Sequence, residues 1–286
     1  MRLPGRGSEK VSVGPSKAIA IHITHCFSIE SERMPLPELF VIGAAKSGTS
    51  TLHWCLVSHD DIVGPRDPET GRSIKEIGYF NDYFHKNKWP QGIDWYLSHY
   101  PKETGVGLDS TPNYLCDPNA IIRMKDAVPD ARLIVTLRDP VFRAYSHYNH
   151  YTQSIEQSKR WDWNLPGASF DANVHSELQE PRRESFGIIG RGFYIRQLKH
   201  LMKYFPREQV HIVILERWAA DPDRYLSAIL DFAGLRQQPL EKKAVHVRQY
   251  TVEELSDETA ALLRETYRES NEELFEFLGE TIDEWQ

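Results

Sequence analysis

The run Leu39-Phe40-Val41-Ile42-Gly43-Ala44-Ala45-Lys46-Ser47-Gly48-Thr49-Ser50-Thr51-Leu52 decides how the rest of the chain is read. Four consecutive apolar side chains ending in glycine predict a strand buried on both faces. Positions 49–58 then read as a helix with Leu52, Cys55 and Leu56 on one side. A strand-loop-helix turn of small residues presents backbone N–H groups at a helix N-terminus, which is an anion site. Lys46 adds a positive charge inside the turn, and Thr49, Ser50 and Thr51 add hydroxyl donors. Small residues there also serve a plain tight turn, but a lysine in such a turn is poorly placed unless an anion faces it.

Outward from this run, strands alternate with helices. Further strands are expected at 61–63, 106–108, 132–137 and 210–215, the fourth core strand (132–137) being the clearest. Helices are expected at 95–99, 119–127, 141–152, 193–204, 222–232 and 256–278, the penultimate one closed by Gly234. Asp117-Pro118 and Asp139-Pro140 each place a capping acid before a proline at the first helical position. This alternation predicts an α/β, P-loop-like three-layer domain with a central parallel sheet. Residues 155–186, rich in Trp, Gln, Ser, Glu and Pro, read as a long connection with one short helix. The domain is expected to run from 37 to 286. Residues 1–36 form an N-terminal extension, either loose or carrying one added strand where Ile19, Ile21, Ile23, Phe27 and Ile29 alternate.

The chain has 286 residues, 40% of them hydrophobic and 26% charged, an ordinary globular composition. Its 34 Lys and Arg against 41 Asp and Glu give a net charge of -7, which argues against general nucleic-acid binding, since that binding is largely phosphate neutralisation. No apolar run approaches the ~18 residues of a membrane span. The stretch 18–29 is interrupted by His22, Thr24, His25 and Ser28 and does not read as a signal peptide. Cys26, Cys55 and Cys116, an odd set without a CxxC pair, read as free thiols. A cytoplasmic protein is expected on these grounds.

The loop differs from the nucleoside-triphosphate pattern G-x-x-x-x-G-K-[ST]. Lys46 precedes Gly48 instead of following it, and Thr49 stands where that lysine would be. No acid at a strand end is an obvious magnesium partner, Asp139 coming nearest. No metal site is expected. A nucleotide kinase-like enzyme and a non-catalytic nucleotide-binding protein are the rival readings of such a loop.

Lys46-Ser47-Gly48-Thr49-Ser50 resembles the 5′-phosphosulfate loop of sulfotransferases that use 3′-phosphoadenosine 5′-phosphosulfate (PAPS), in the carbohydrate branch related to heparan sulfate sulfotransferases and its bacterial relatives. Four further segments fit in the family's order: Lys75-Glu76 with Tyr79-Phe80, the block from Gly107 to Tyr114, the block from Leu137 to Ser146, and Arg191-Gly192-Phe193-Tyr194. The resemblance covers 37 to about 285. It implies transfer of a sulfuryl group from PAPS to a hydroxyl or amine of a small-molecule or glycan acceptor. It implies Lys46, Ser47, Gly48, Thr49, Ser50 and Thr51 around the 5′-phosphosulfate, Arg138 and Ser146 on the 3′-phosphate, and Glu76 as the base. His150, one turn beyond Ser146, stands where N-sulfating relatives have an assisting histidine. Lys242, Lys243 and Arg248 are the nearest counterparts of the family's late basic loop, though no glycine lies among them. Asp109, where most relatives have Glu, is assigned no role.

The residue types suit that chemistry. Sulfuryl transfer needs positioning and charge stabilisation more than covalent help. Lys46 is the natural partner of the charge that grows on the leaving phosphate oxygen. Glu76 would take the acceptor proton, although by residue type alone a glutamate is expected on the surface. Arg138 ends the clearest strand, where ligands of open α/β sheets bind, and its planar fork suits phosphate. Trp161, Trp163 and Phe170 form either an aromatic wall for the acceptor or core anchors of the long connection.

Overall fold

The computed structural model describes residues 36–82, 87–101, 104–158, 169–180, 187–242 and 255–285. Five strands form one sheet: β1 (Leu39–Gly43), β2 (Ile62–Val63), β3 (Val106–Asp109), β4 (Arg132–Leu137) and β5 (Val210–Ile214). Their order is β2-β3-β1-β4-β5, and every pairing is parallel. Both faces are covered, which is why β1 reads as an unbroken apolar run and β4 as one interrupted only by Arg132 at its start and Thr136 near its end. Phe40 and Ile42 face one layer together with Leu133, Val135 and Leu137. Leu39 and Val41 face the other with Leu108, Ile134 and Val213.

The first of these faces is covered by α3 (Pro118–Ala127), α6 (Tyr194–Leu201) and the C-terminal part of α9 (Asp257–Leu278). The opposite face is covered by α1 (Thr49–Leu56) and α8 (Pro222–Ala233). A third cluster joins α4 (Pro140–Ser158) and α5 (Phe170–Gln179) to α9 through Tyr145, Phe170, Leu263 and Tyr267. Each such side chain contributes about 1.5–3 kcal/mol on full burial. Two short helices complete the order, α2 (Ile93–Leu97) before β3 and α7 (Leu215–Ala220) directly after β5.

The helix starts follow the sequence closely. Asp117 accepts from Asn119 N at 3.0 Å, and Asp139 accepts from Val141 N at 2.8 Å. Gly234 closes α8 with a left-handed φ of 68°. The expected connection at 155–186 differs: α4 runs on to Ser158, and α5 is a full helix capped by Ser169. Phe170 packs edge-on against Tyr145, with ring centroids 5.2 Å apart, so it anchors the core. Trp161, Trp163 and the proposed strand in 1–36 lie outside the described residues.

Candidate active site

The strand order puts β1 at the centre, with β3 on one side and β4 on the other. The crevice beyond the carboxyl ends of these three strands is the binding place of an open α/β sheet. Lys46 follows β1, Ser110 and Thr111 follow β3, and Arg138 follows β4.

The loop ends in a helix start whose N-cap offers no side-chain acceptor. Its start is tied to β4, since Ala44 N donates to Thr136 O at 2.7 Å and Thr136 Oγ1 donates to Gly43 O at 3.1 Å. Lys46 (φ 74°) and Gly48 (φ 82°) both take positive φ and fold the chain back into α1. Glycine is required at 48: a Cβ there would lie 2.7 Å from Leu215 Cδ1 and 3.0 Å from Trp218 Cζ3. As N-cap of α1, Gly48 has no side chain to satisfy the first-turn N–H groups. Those donors and the helix dipole therefore face the crevice, where they suit an anion.

Arg138 joins this loop directly. Its Nη1 donates to Lys46 O at 3.4 Å, and its own carbonyl accepts from Tyr194 OH at 2.8 Å. Burial pushes the Tyr194 phenol up to about 12, so it stays a donor. Ser146 is buried in α4, two turns past its start. Asp139, the acid nearest this strand end, is used as a cap. Its carboxylate caps α4 and its N–H donates to Glu216 Oε1 at 3.0 Å.

On the other side, Lys75 Nζ donates to Thr49 Oγ1 at 3.1 Å and to Glu76 Oε1 at 2.9 Å. One ammonium thus connects the first residue of α1 with the carboxylate expected to be the base. The Lys75 side chain is 13% exposed and that of Glu76 44%. His53, beneath Lys75, shares a 2.9 Å hydrogen bond between its Nδ1 and Ser110 Oγ. Burial, aided by the Lys75 charge, lowers His53 to about 3, so it is neutral.

The third wall is α4. His147 is buried and held well below the usual histidine range, first by burial and then by the charges of Arg191, Arg143, Lys46 and His150. His150 therefore shares an electropositive neighbourhood with Lys46. Arg191 Nη1 donates to Asn113 Oδ1 at 3.0 Å.

The late basic residues are described only in part. Lys242 pairs with Asp223 at 2.5 Å beside α8, and Lys243 and Arg248 lie outside the described residues. Residues that sequence reasoning passed over include Lys75 as a bridge and Asp109, buried at the end of β3 under three hydroxyls. A strand-end acid flanked by hydroxyl residues was the available signal for Asp109. Among the described residues no group of three His, Cys, Asp or Glu is arranged to hold a metal.

A parallel sheet with a positive-φ loop after its central strand, leading into a helix, is the architecture of the P-loop-like class. The family model described as "Sulfotransferase domain" matches residues 36–278, and the chain belongs to this family of enzymes. It is similar to a sulfotransferase of Alicyclobacillus acidocaldarius, with a TM-score of 0.68 and 23% identity over 88% of this chain and 99% of that one, which shows the shared fold. The membrane-associated sulfotransferase kil1 of Dictyostelium discoideum is 26% identical, covering 91% of this chain and 69% of its own. The heparan sulfate glucosamine 3-O-sulfotransferase 3A1 of Mus musculus is 31% identical, covering 78% of this chain and 52% of its own. A bifunctional heparan sulfate N-deacetylase/N-sulfotransferase 3 of Homo sapiens is 28% identical, covering 70% of this chain and 22% of its own. The chain thus spans about a quarter to a half of the heparan sulfate enzymes it matches.

The expectation of a cytoplasmic location is corrected by these relatives, since one that matches nearly the whole chain is named as membrane-associated. Cysteine usage was a weak guide because buried thiols such as Cys55 and Cys116 pack as small apolar groups in any compartment. Among the described residues no helix is long and apolar enough to cross a membrane.

Proposed function

We propose that this chain transfers a sulfuryl group from PAPS to a hydroxyl or amine acceptor, with Glu76 as general base and Lys46 facing the leaving phosphate. The observation that carries the reading is the Thr49–Lys75–Glu76 chain of contacts, which fixes a carboxylate at the rim of an anion loop. The loop fits a 5′-phosphosulfate: two positive-φ residues, an uncapped helix start and the buried hydroxyls of Ser47 and Thr49. Gly48, Ser50 and Thr51 complete that cradle. Arg138 and Ser146 are proposed to read the 3′-phosphate.

PAPS supplies the sulfuryl group and leaves as adenosine 3′,5′-bisphosphate (PAP). Glu76 takes the acceptor proton as the new bond to sulfur forms. Lys46 balances the negative charge left on the phosphate oxygen when the old bond breaks. His150 is the reserve proton acceptor. Lys242, Lys243 and Arg248 are proposed only as further phosphate contacts, and the unit carrying the reaction as 37–286 with 1–36 as an extension. The relatives are named for N- and 3-O-sulfation of heparan sulfate, so a glycan or a small molecule with an amine or hydroxyl is the acceptor class proposed.

A screen of acceptors with labelled PAPS, run on the wild type and on Glu76→Gln, tests this reading. General-base help is worth about 10²–10⁴-fold, so kcat should fall by that factor while PAP affinity stays near wild type. A Glu76→Gln protein that turns over normally would remove Glu76 from the mechanism.

A further inference from the structure

We propose that Asp109 is a positioning residue for Glu76, acting by orienting the hydroxyls of Thr111 and Tyr114 that hold the backbone next to it. The inference rests on the reading of Glu76 as the base.

Asp109 ends β3 and is fully buried. Its Oδ1 accepts from Thr111 Oγ1 at 2.7 Å; its Oδ2 accepts from Tyr114 OH at 2.9 Å and from Tyr96 OH at 3.0 Å. An ionised carboxylate only accepts, and each hydroxyl has one proton to give. All three protons are therefore committed to Asp109, and the oxygen lone pairs of Thr111 and Tyr114 face the other way. There they meet two backbone donors. Gly78 N donates to Thr111 Oγ1 at 3.2 Å, and Tyr79 N donates to Tyr114 OH at 3.0 Å.

Those two N–H groups follow Glu76 by two and three residues. The segment from Lys75 to Phe80 belongs to none of the five strands, so no sheet ladder holds its backbone. Tyr79 is buried and Gly78 half-buried; N–H groups turned from water need acceptors, and here two hydroxyls supply them. The Glu76 side chain is itself 44% exposed, and packing alone does not hold it. Its place follows from Lys75 on one side and from this hydroxyl-held backbone on the other. The Glu76 charge is also felt at Asp109, so the two carboxylates lie within electrostatic reach.

The arrangement needs a carboxylate. An asparagine at 109 would turn its NH₂ group toward either Thr111 or the two tyrosines. In each orientation Thr111 or Tyr114 must accept from the amide, so its own proton loses Asp109 as partner and its oxygen is shared between the amide and the N–H of Gly78 or Tyr79. The hydroxyl is no longer oriented by Asp109, and its hold on the backbone beside Glu76 weakens.

Turnover of labelled PAPS with a phenolic acceptor, together with calorimetry of PAP binding, tests this in four single variants and one double variant. Asp109→Asn should lower kcat roughly ten- to a hundredfold, the cost of misplacing a reacting group by about 1 Å. Acceptor KM and PAP affinity should stay within about threefold, because the loop and Arg138 are untouched. In the Glu76→Gln background the same substitution should lower kcat by less than about threefold, since two residues acting through one step do not add. Tyr114→Phe and Thr111→Val each remove one backbone acceptor and should show the same pattern. They decide the matter if Asp109→Asn does not fold. Wild-type turnover in Asp109→Asn, or in both hydroxyl variants, overturns the inference. So does an equal loss with and without Glu76, or a parallel loss of PAP binding. A Glu76→Gln protein with wild-type turnover overturns the base reading itself and this inference with it, whereas a slow Glu76→Gln beside a normal Asp109→Asn overturns the positioning role alone.

Discussion

Lys75 Nζ lies 2.9 Å from Glu76 Oε1, and the same ammonium donates to Thr49 Oγ1 at 3.1 Å. The contact is weak as a stabilising ion pair. Glu76 is nearly half exposed, and pairs of that kind contribute about 0–1 kcal/mol. Its value lies in geometry, because it fixes a flexible carboxylate relative to the first residue of α1. Lys75→Met should therefore cost no more than about 1 kcal/mol in urea denaturation. Turnover should fall at least about tenfold, since orientation of a reacting group acts on the barrier. A variant that loses stability and activity in proportion would show that Lys75 is structural only.

Arg138 offers a cleaner separation of binding from chemistry. It is anchored through its carbonyl to Tyr194 and through one Nη to the Lys46 carbonyl, with the rest of its fork available to the crevice beyond β4. Arg138→Ala should weaken PAP binding by roughly 1.5–3 kcal/mol, the scale of a hydrogen bond to a charged group. The analogue without the 3′-phosphate should bind wild type and variant alike. Equal losses for both ligands in calorimetry would place Arg138 elsewhere.

Lys46 should divide the two properties the other way. Its positive φ places it inside the loop rather than along a strand or helix. A charge aimed at the leaving oxygen acts mainly in the transition state. Lys46→Ala should lower kcat by about 10²–10³-fold, the loss typical of one preorganised electrostatic group. PAP should still bind, more weakly. Near-normal single-turnover rates would rule out the leaving-group role.

What could be read along the chain depended on whether the cause was local. The run from Leu39 to Leu52 carried the fold because β1 is buried on both faces and must be apolar throughout. Asp117, Asp139 and Gly234 marked helix ends because caps act within one turn. The end of α4 and all of α5 were hidden in a polar stretch, since α5 buries little apolar surface beyond Phe170 and Val174. α7 merged with β5 because Leu215 continues the apolar run without a breaker. The places of Lys46 and Arg138, just past the ends of β1 and β4, were legible in the same way. The Asp109 latch was not, because Gly78 and Thr111 are 33 residues apart and Tyr79 and Tyr114 are 35 apart. Lys242 was placed by order along the chain, and its ion pair with Asp223, 19 residues earlier, was equally out of reach of a local reading.

Asp109 also makes stability depend on pH in a direction opposite to most carboxylates. Burial raises its carboxyl from 3.8 to about 6, the hydroxyls of Thr111, Tyr114 and Tyr96 pulling it back and the Glu76 charge adding to the rise. Its other neighbours do not titrate in this range: burial holds Tyr96, Tyr100 and Tyr114 well above the ordinary phenol value. Between about pH 4 and 6 the folded chain keeps a proton that the unfolded chain has released. This contribution is therefore whole below the unfolded value and is lost as pH rises through the folded one. A rise from 3.8 to about 6 corresponds to about 3 kcal/mol. Asp82, drawn down by Arg123, and Glu265, drawn down by Arg268, act in the opposite sense, so the profile of the whole chain mixes both. Subtracting the profile of Asp109→Asn from that of the wild type cancels the others. In urea denaturation the wild type's advantage over Asp109→Asn should shrink by roughly 2–2.5 kcal/mol between pH 4 and pH 7, because the unfolded carboxyl is already partly ionised at pH 4. A difference that does not change with pH would show that the Asp109 carboxyl titrates in the fold as it does in the unfolded chain.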